Sequence, residues 1–415
     1  MTSDSSISEA APGAAAPAEA GAAVRPYPFS TATGLGMDPL YGYLREREPV
    51  ARIRMPYGGE AWMVTRHADA RLVLGDARFS MAAGAGKDVP RPTEQLLEPG
   101  GLVAMDPPEH TRLRRLAGGA FTHRRVEGMR PSVTALTHRL VDGMTAAGPS
   151  ADLLEAIALP VSIGVICELL GVDYEDRHVF QRFSDALLST ALPPEEVRRA
   201  GEEFVGYLAR LVAERRESPT DDLLGAMVQA RDDDDRLSEN ELYMLGAGLL
   251  VGGYETTATQ IGNFAYLLLR DRRLYASLVE DPGLIRGAVE ELLRFTPLTT
   301  VDGYARIALE DVMVGGTLIR AGEAVFTSVA AANLDPEAFP DPERLDFTRE
   351  RNPHLGFGHG IHYCMGAPLA RLEIQVVLEV LTRRLPGLRL AVPAADVRWQ
   401  PGLLLRVPER LPVTW

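Results

Sequence analysis

A mainly helical α+β fold follows from three observations. Long stretches with apolar residues at helical spacing fill the middle of the chain, strand-like alternation is confined to two short regions, and no repeat divides the 415 residues. The composition, 46% hydrophobic and 24% charged, is that of a soluble globular protein with ample core material. The net charge of −14 argues against nonspecific binding to nucleic acid or to an anionic membrane.

The first 24 residues are rich in Ala, Pro, Ser and Gly, with no basic start and no run of large apolar residues. They are expected to form a disordered tail, neither signal peptide nor anchor, ahead of a single domain over 25–415. "VARIRMPYGGEAWMVTR" alternates on both sides of 56–59 and predicts a hairpin. "PSVTALTHRLVDGMTAAG" and "EEVRRAGEEFVGYLARLVAERRE" carry helical periodicity, the second with charges on its far face. "SENELYMLGAGLLVGGYETTATQIGNFAYLLLRD" is longer and more apolar than most globular helices, with Ser238 a natural N-cap, and is expected to run buried through the centre. "DVMVGGTLIRAGEAVFTSV" alternates and turns at Gly315-Gly316 and Gly322, so the sheets are expected to be small and antiparallel. "DPEAFPDPERLDFTRERNP" is aperiodic and Pro-rich, a meandering loop.

That loop runs into "FGHGIHYCMG", which encloses Cys364, one of only two cysteines. The pair forms no CxxC and suggests no disulfide framework, consistent with a reducing cytoplasm. Cys167 lies in the apolar helical run "PVSIGVICELLGV" and reads as a small core hydrophobe. Cys364 precedes the amphipathic run "MGAPLARLEIQVVLEVLTRRL", so its sulfur should face backbone donors and a helix N-terminus, an environment that lowers a thiol pKa. Four roles are open to it on these grounds: a buried structural thiol, a nucleophile with His362 as base, a zinc ligand with His359 and His362, or the axial thiolate of a haem.

The wider pattern resembles the cytochrome P-450 family over roughly 27–415. "FGHGIHYCMG" matches the cysteine loop Phe-Gly-x-Gly-x-His-x-Cys-x-Gly, "EELLRF" the Glu-x-x-Arg motif, "DPERLDF" the loop arginine, "GGYETT" the oxygen-activation motif and "DPPEHTRLRRL" the helix that grips the haem propionates. The resemblance implies a helical bundle around haem b with small antiparallel sheets. It makes Cys364 the iron ligand and Phe357 and Gly366 its haem-side neighbours. His110, Arg114, Arg306 and His362 become propionate contacts, and Glu291, Arg294 and Arg344 a salt-bridged framework triad. Leu334 departs from the family, where an arginine is usual.

In the central helix, Thr256 lies four residues after Gly252, so its hydroxyl can bond the Gly252 carbonyl and open a groove for O2, with Glu255 supplying a carboxylate for protons. The resemblance also implies pocket walls from the loop before Asp106 and from 183–192, 248–252, 298–304 and 402–404, including Gly248, Val301, Asp302 and Leu403. Asp302 could pair with a cationic substrate group or satisfy local backbone donors. No Gly-x-Gly-x-x-Gly follows a predicted strand, so electrons are expected from a ferredoxin and its reductase, docked on a basic patch of Arg112, Arg115, Arg124 and Arg125. The expected enzyme is a cytoplasmic monomer without membrane or nucleic-acid partners. It would insert one oxygen atom from O2 into a hydrophobic macrolide- or polyketide-type substrate, since the overall run looks most like actinobacterial tailoring enzymes. A carrier-bound amino acid, a terpene or a xenobiotic is the alternative substrate; a haem carrier without turnover and a zinc hydrolase are the alternatives of other classes.

Overall fold

A 32-residue helix, Glu239–Arg270, forms the axis of the molecule. Its start is set by a capping box: the Glu241 N–H donates to Ser238 Oγ at 3.2 Å and the Ser238 N–H to Glu241 Oε2 at 2.8 Å. From Thr257 to Leu269 every residue is buried, because other elements cover it on all sides. Against it pack the Leu159–Leu170 helix, the Arg177–Leu188 and Pro194–Glu217 helices and the Ala367–Arg384 helix. A Cβ on Gly253 would overlap Ile166, and one on Gly262 would overlap Leu154, so these two glycines permit close packing. The computed structural model describes residues 24–29, 34–232 and 237–415; apart from Val24, the tail expected over 1–24 lies outside them.

The predicted hairpin forms, Val50–Arg54 against Glu60–Val64. It belongs to a six-stranded sheet in the order Arg25–Pro26, Val50–Arg54, Glu60–Val64, Ala324–Thr327, Arg306–Ala308, Phe79–Ser80. This sheet is mixed. Arg25–Pro26 pairs parallel to Val50–Arg54, and Glu60–Val64 pairs parallel to Ala324–Thr327, with Trp62 opposite Val325. The antiparallel expectation holds only for the two smaller sheets, a three-stranded one and the Val312–Val314/Thr317–Ile319 hairpin. After Gly322 the chain leaves that hairpin and inserts Ala324–Thr327 between distant strands, a choice that alternation alone cannot specify. Among the described residues no helix is long and apolar enough to cross a membrane.

Candidate active site

The cysteine loop is shaped by its glycines. Gly358 and Gly360 adopt φ of 76° and 73°, and a Cβ on Gly360 would come within 2.5 Å of the Leu74 carbonyl. The Cys364 N–H donates to the Phe357 carbonyl at 2.8 Å, and the helix that follows starts at Ala367. Cys364 is accessible, whereas Cys167 is buried in the core, as expected. The thiol pKa departs from expectation. Enclosure by protein raises it, and the N–H groups of Gly366 and Ala367 with the charges of Arg114 and Arg371 offset this only in part. Desolvation outweighs the helix terminus, and coordination to a metal would act the other way by favouring the thiolate. A Cβ on Gly366 would lie 3.9 Å from the sulfur, an ordinary contact.

The residues expected to hold carboxylates gather beside this loop. The His110 and His362 rings lie against each other with centroids 4.4 Å apart and planes tilted by 55°, and the Nε2 of each is buried without a partner. Arg306 is 7% exposed, with one hydrogen bond to the Phe79 carbonyl at 3.3 Å. Arg114 donates to the Tyr363 carbonyl at 2.5 Å. Burial, then the charges of Arg306 and His110, lowers the His362 pKa to about 4; burial, then Arg114, lowers that of His110. The cluster holds two neutral rings with orphaned nitrogens and a buried guanidinium, and Asp106 is the one carboxylate that acts on them electrostatically. Such a set calls for anions. It fits the two propionates of a haem whose iron sits on Cys364. Among the described residues no three His, Cys, Asp or Glu side chains converge to hold a metal ion, so His359, His362 and Cys364 do not form a zinc site.

On the central helix the Thr256 hydroxyl donates to the Gly252 carbonyl at 2.8 Å, as its spacing predicts, and the helix stays continuous. Nothing lies within 4 Å of a Cβ built on Gly248 or Gly252. Open space at these two contrasts with the packed Gly253 between them and the helix end. Glu255 lies beside Tyr254 and against Ser184 and Asp185 of the Arg177–Leu188 helix; burial, reinforced by the Asp185 charge, raises its pKa against the lowering effect of Tyr254 and Ser184.

Glu291 and Arg294 are fully buried and paired through two hydrogen bonds of 2.9 and 2.7 Å. The third member is Arg349, not Arg344. Arg349 Nε donates to both Glu291 oxygens at 3.1 and 3.2 Å. Arg344 is exposed and contributes only its carbonyl, which accepts from Arg294 at 3.3 Å. The reason is the turn closed by the Arg344 N–H on the Asp341 carbonyl, which aims the backbone of Arg344 inward and its side chain outward. The Asp346 N–H and Asn352 Nδ2 complete the shell of Glu291 at 3.1 and 3.0 Å. Sequence reasoning missed Arg349 and Asn352, although both lie in the quoted loop.

Three of the expected wall segments are laced together by backbone bonds. Leu404 N–H donates to Leu188 O, Thr190 N–H to Gly402 O and Thr300 N–H to Leu404 O, each at 2.8 Å. Leu403 bridges Ser189, and its carbonyl accepts from Thr300 Oγ1 at 2.9 Å. Val301 packs on the apolar cluster that contains Tyr27 and Tyr41. Of the two roles open to Asp302, the contacts favour the internal one, with tyrosine hydroxyls as donors instead of backbone: its Oδ2 accepts from Tyr27 at 3.1 Å and Tyr41 at 3.0 Å. In the basic patch, Arg112 pairs with Glu241, whereas Arg115, Arg124 and Arg125 are exposed.

The family model described as Cytochrome P450 matches residues 43–386. The chain is 52% identical over 392 residues to the mycinamicin IV hydroxylase/epoxidase of Micromonospora griseorubida, covering 94% of this chain and 98% of that one. It is 49% identical over 393 residues to the nocardicin C N-oxygenase of Nocardia uniformis subsp. tsuyamanensis, with the same coverage, 94% and 98%. The crystal structure of the LnmA hydroxylase from the leinamycin biosynthetic pathway of Streptomyces atroolivaceus superimposes with a TM-score of 0.88 at 52% identity, covering 94% of this chain and 100% of that one.

Proposed function

The chain belongs to the cytochrome P450 family, a monooxygenase family that uses haem b and O2, and from that premise we propose that it hydroxylates or epoxidises a hydrophobic macrolide- or polyketide-type metabolite. The observation that carries the haem-thiolate reading is the gathering of orphaned His110 and His362 nitrogens and buried Arg306 beside accessible Cys364. The substrate class rests on the likeness to the mycinamicin IV enzyme. Bound haem supplies the O2 and one-electron chemistry. Cys364 would hold its iron, with Phe357 and Gly366 around the sulfur, while His110, Arg114, Arg306 and His362 would hold the propionates. Gly248 and Gly252 leave room for substrate and O2. The Thr256 hydroxyl and the Glu255 carboxyl hold and pass protons, Glu255 being suited to carry one because burial favours its neutral form. Electrons come from a ferredoxin and its reductase, docked over exposed Arg115, Arg124 and Arg125 in the cytoplasm. Oxidation at nitrogen is a second reading, favoured by the nocardicin C relative.

The test combines spectra with turnover. The reduced protein with CO should show the thiolate band, lost in Cys364→Ser and kept in Cys167→Ser; a protein that purifies colourless and takes up no haem would overturn the reading. With a mycinamicin-type macrolide and a ferredoxin system, Thr256→Ala should still consume NADPH but make less product and release more hydrogen peroxide. Glu255→Ala should slow the whole cycle. No product from macrolides, with product from an amine substrate, would favour the second reading.

A further inference from the structure

Behind the cysteine loop lies a polar cluster that no role above uses. Glu290, the neighbour of framework Glu291, takes two hydrogen bonds from Arg371, to Oε1 from Nε at 2.6 Å and to Oε2 from Nη2 at 2.9 Å. His354 Nε2 lies 3.0 Å from Glu290 Oε2. The Gly356 N–H donates to His354 Nδ1 at 3.1 Å, which leaves Nε2 facing Glu290. Arg371 is the cluster's permanent cation, and Glu290 is the carboxylate that clamps it. Arg371 lies two turns beyond Cys364 on the Ala367–Arg384 helix. Its guanidinium stacks 4.6 Å from the centre of the Phe357 ring, and its Nη1 donates to the Tyr363 hydroxyl at 3.1 Å. Phe357 and Tyr363 are the residues that bracket the sulfur: one accepts the Cys364 N–H, the other precedes it.

We propose that Arg371, held by Glu290, is a positioning residue that sets the reduction potential of the haem iron by placing a fixed positive charge behind the Cys364 thiolate. A cation there favours the electron-richer, reduced state. Arg371 contacts the two residues that flank the sulfur; the carboxylate stands one step further back and tempers the cation while fixing its orientation. The bidentate clamp matters because a free arginine samples many rotamers and would place its charge nowhere in particular. The inference rests on the haem-thiolate reading.

Redox titration of the haem-loaded protein separates a charge role from a brace. Arg371→Gln removes the cation and should lower the potential. Glu290→Gln leaves the cation untempered and should raise it. Arg371→Lys keeps the charge and should stay closest to the parent. Each of the first two shifts is expected to be severalfold to about tenfold in the reduction equilibrium, tenfold being about 59 mV for one electron. Shifts of the same sign in Arg371→Gln and Glu290→Gln, or a shift in Arg371→Lys as large as in Arg371→Gln, would overturn the proposal. If Arg371→Gln does not retain haem, the rise in Glu290→Gln and the constancy of Arg371→Lys decide. A thiolate CO band in the parent protein keeps the two failures apart: its absence sinks the haem-thiolate reading, whereas its presence with unmoved potentials sinks only this one.

Discussion

Glu291 keeps a carboxylate at full burial because four residues donate to it: Arg294, Asp346 through its N–H, Arg349 and Asn352. Burial alone would raise its pKa, and these donors, Arg294 first, bring it below the usual carboxylate value. Such a shell contributes geometry more than net stability, since the desolvation of two charges offsets their attraction. Here it ties the Ile285–Phe295 helix to the loop that delivers the cysteine. Removing donors is still costly. Arg349→Ala should destabilise the protein by about 1.5–3 kcal/mol, the range for a hydrogen bond to a charged group. Arg344→Ala, at an exposed side chain, should stay within about 0.5 kcal/mol. Urea unfolding of both variants checks this, and equal losses would return the third position to Arg344.

Within the central helix two adjacent glycines have opposite physics. Gly253 faces Ile166, so Gly253→Ala should overpack the contact and cost about 1–3 kcal/mol. Gly252 faces open space, so Gly252→Ala should gain up to about 1 kcal/mol of helix propensity while lowering turnover by filling the groove beside Thr256. Thermal melts and product yields on both variants read the contrast. The Ala367–Arg384 helix that follows the cysteine loop holds a second element-scale feature, Glu373, which is 1% exposed against Ser162 of the Leu159–Leu170 helix. Burial raises its pKa well above the usual value, so it is neutral in the fold and ionises when the chain unfolds. The folded state then binds the extra proton, and stability is lost as pH rises above the ordinary glutamate value. Glu373→Gln should remove that loss. Its stability advantage should grow from pH 5 to pH 8, by at most about 1.4 kcal/mol per pH unit, and a flat difference across that range would show that the carboxyl is ionised in the fold.

Across the whole molecule, the half-buried Asp302 network joins parts far apart in sequence. Tyr27 and Tyr41 reach Asp302 from the N-terminal segment, and the Asp302 N–H donates back to Tyr27 Oη at 2.7 Å. Arg406 donates to the carbonyls of Thr299, Gly34 and Gly36. The 298–304 segment is thus held from behind, while 402–405 is bonded along it and 188–190 is bonded in turn to 402–404. Asp302→Asn should weaken binding of an aminated and of a neutral substrate by a similar factor, since the carboxylate serves the wall and not the ligand. Substrate-induced spectral titrations of the parent and variant with a macrolide bearing an amino sugar and its neutral counterpart make the comparison; selective loss of the aminated one would restore a direct contact.

Features whose geometry is local could be read from the sequence alone. The capping box spans four residues, the Thr256–Gly252 bond five, and the cysteine loop ten, so helix pitch, glycine conformations and a helix start determine them before any packing is known. The central helix and the Val50–Arg54 hairpin belong with them, because apolar periodicity sets each. Tertiary structure decided whatever depended on two distant surfaces meeting. It chose Arg349 over Arg344, since a turn fixed by packing determines which side chain enters the core. It placed Ala324–Thr327 parallel to Glu60–Val64, turned Asp302 toward two tyrosines and joined three wall segments. At Cys364 it reversed the expected sign of the pKa shift: the helix terminus is visible in sequence, but desolvation depends on how much protein surrounds the sulfur, and only the folded chain sets that.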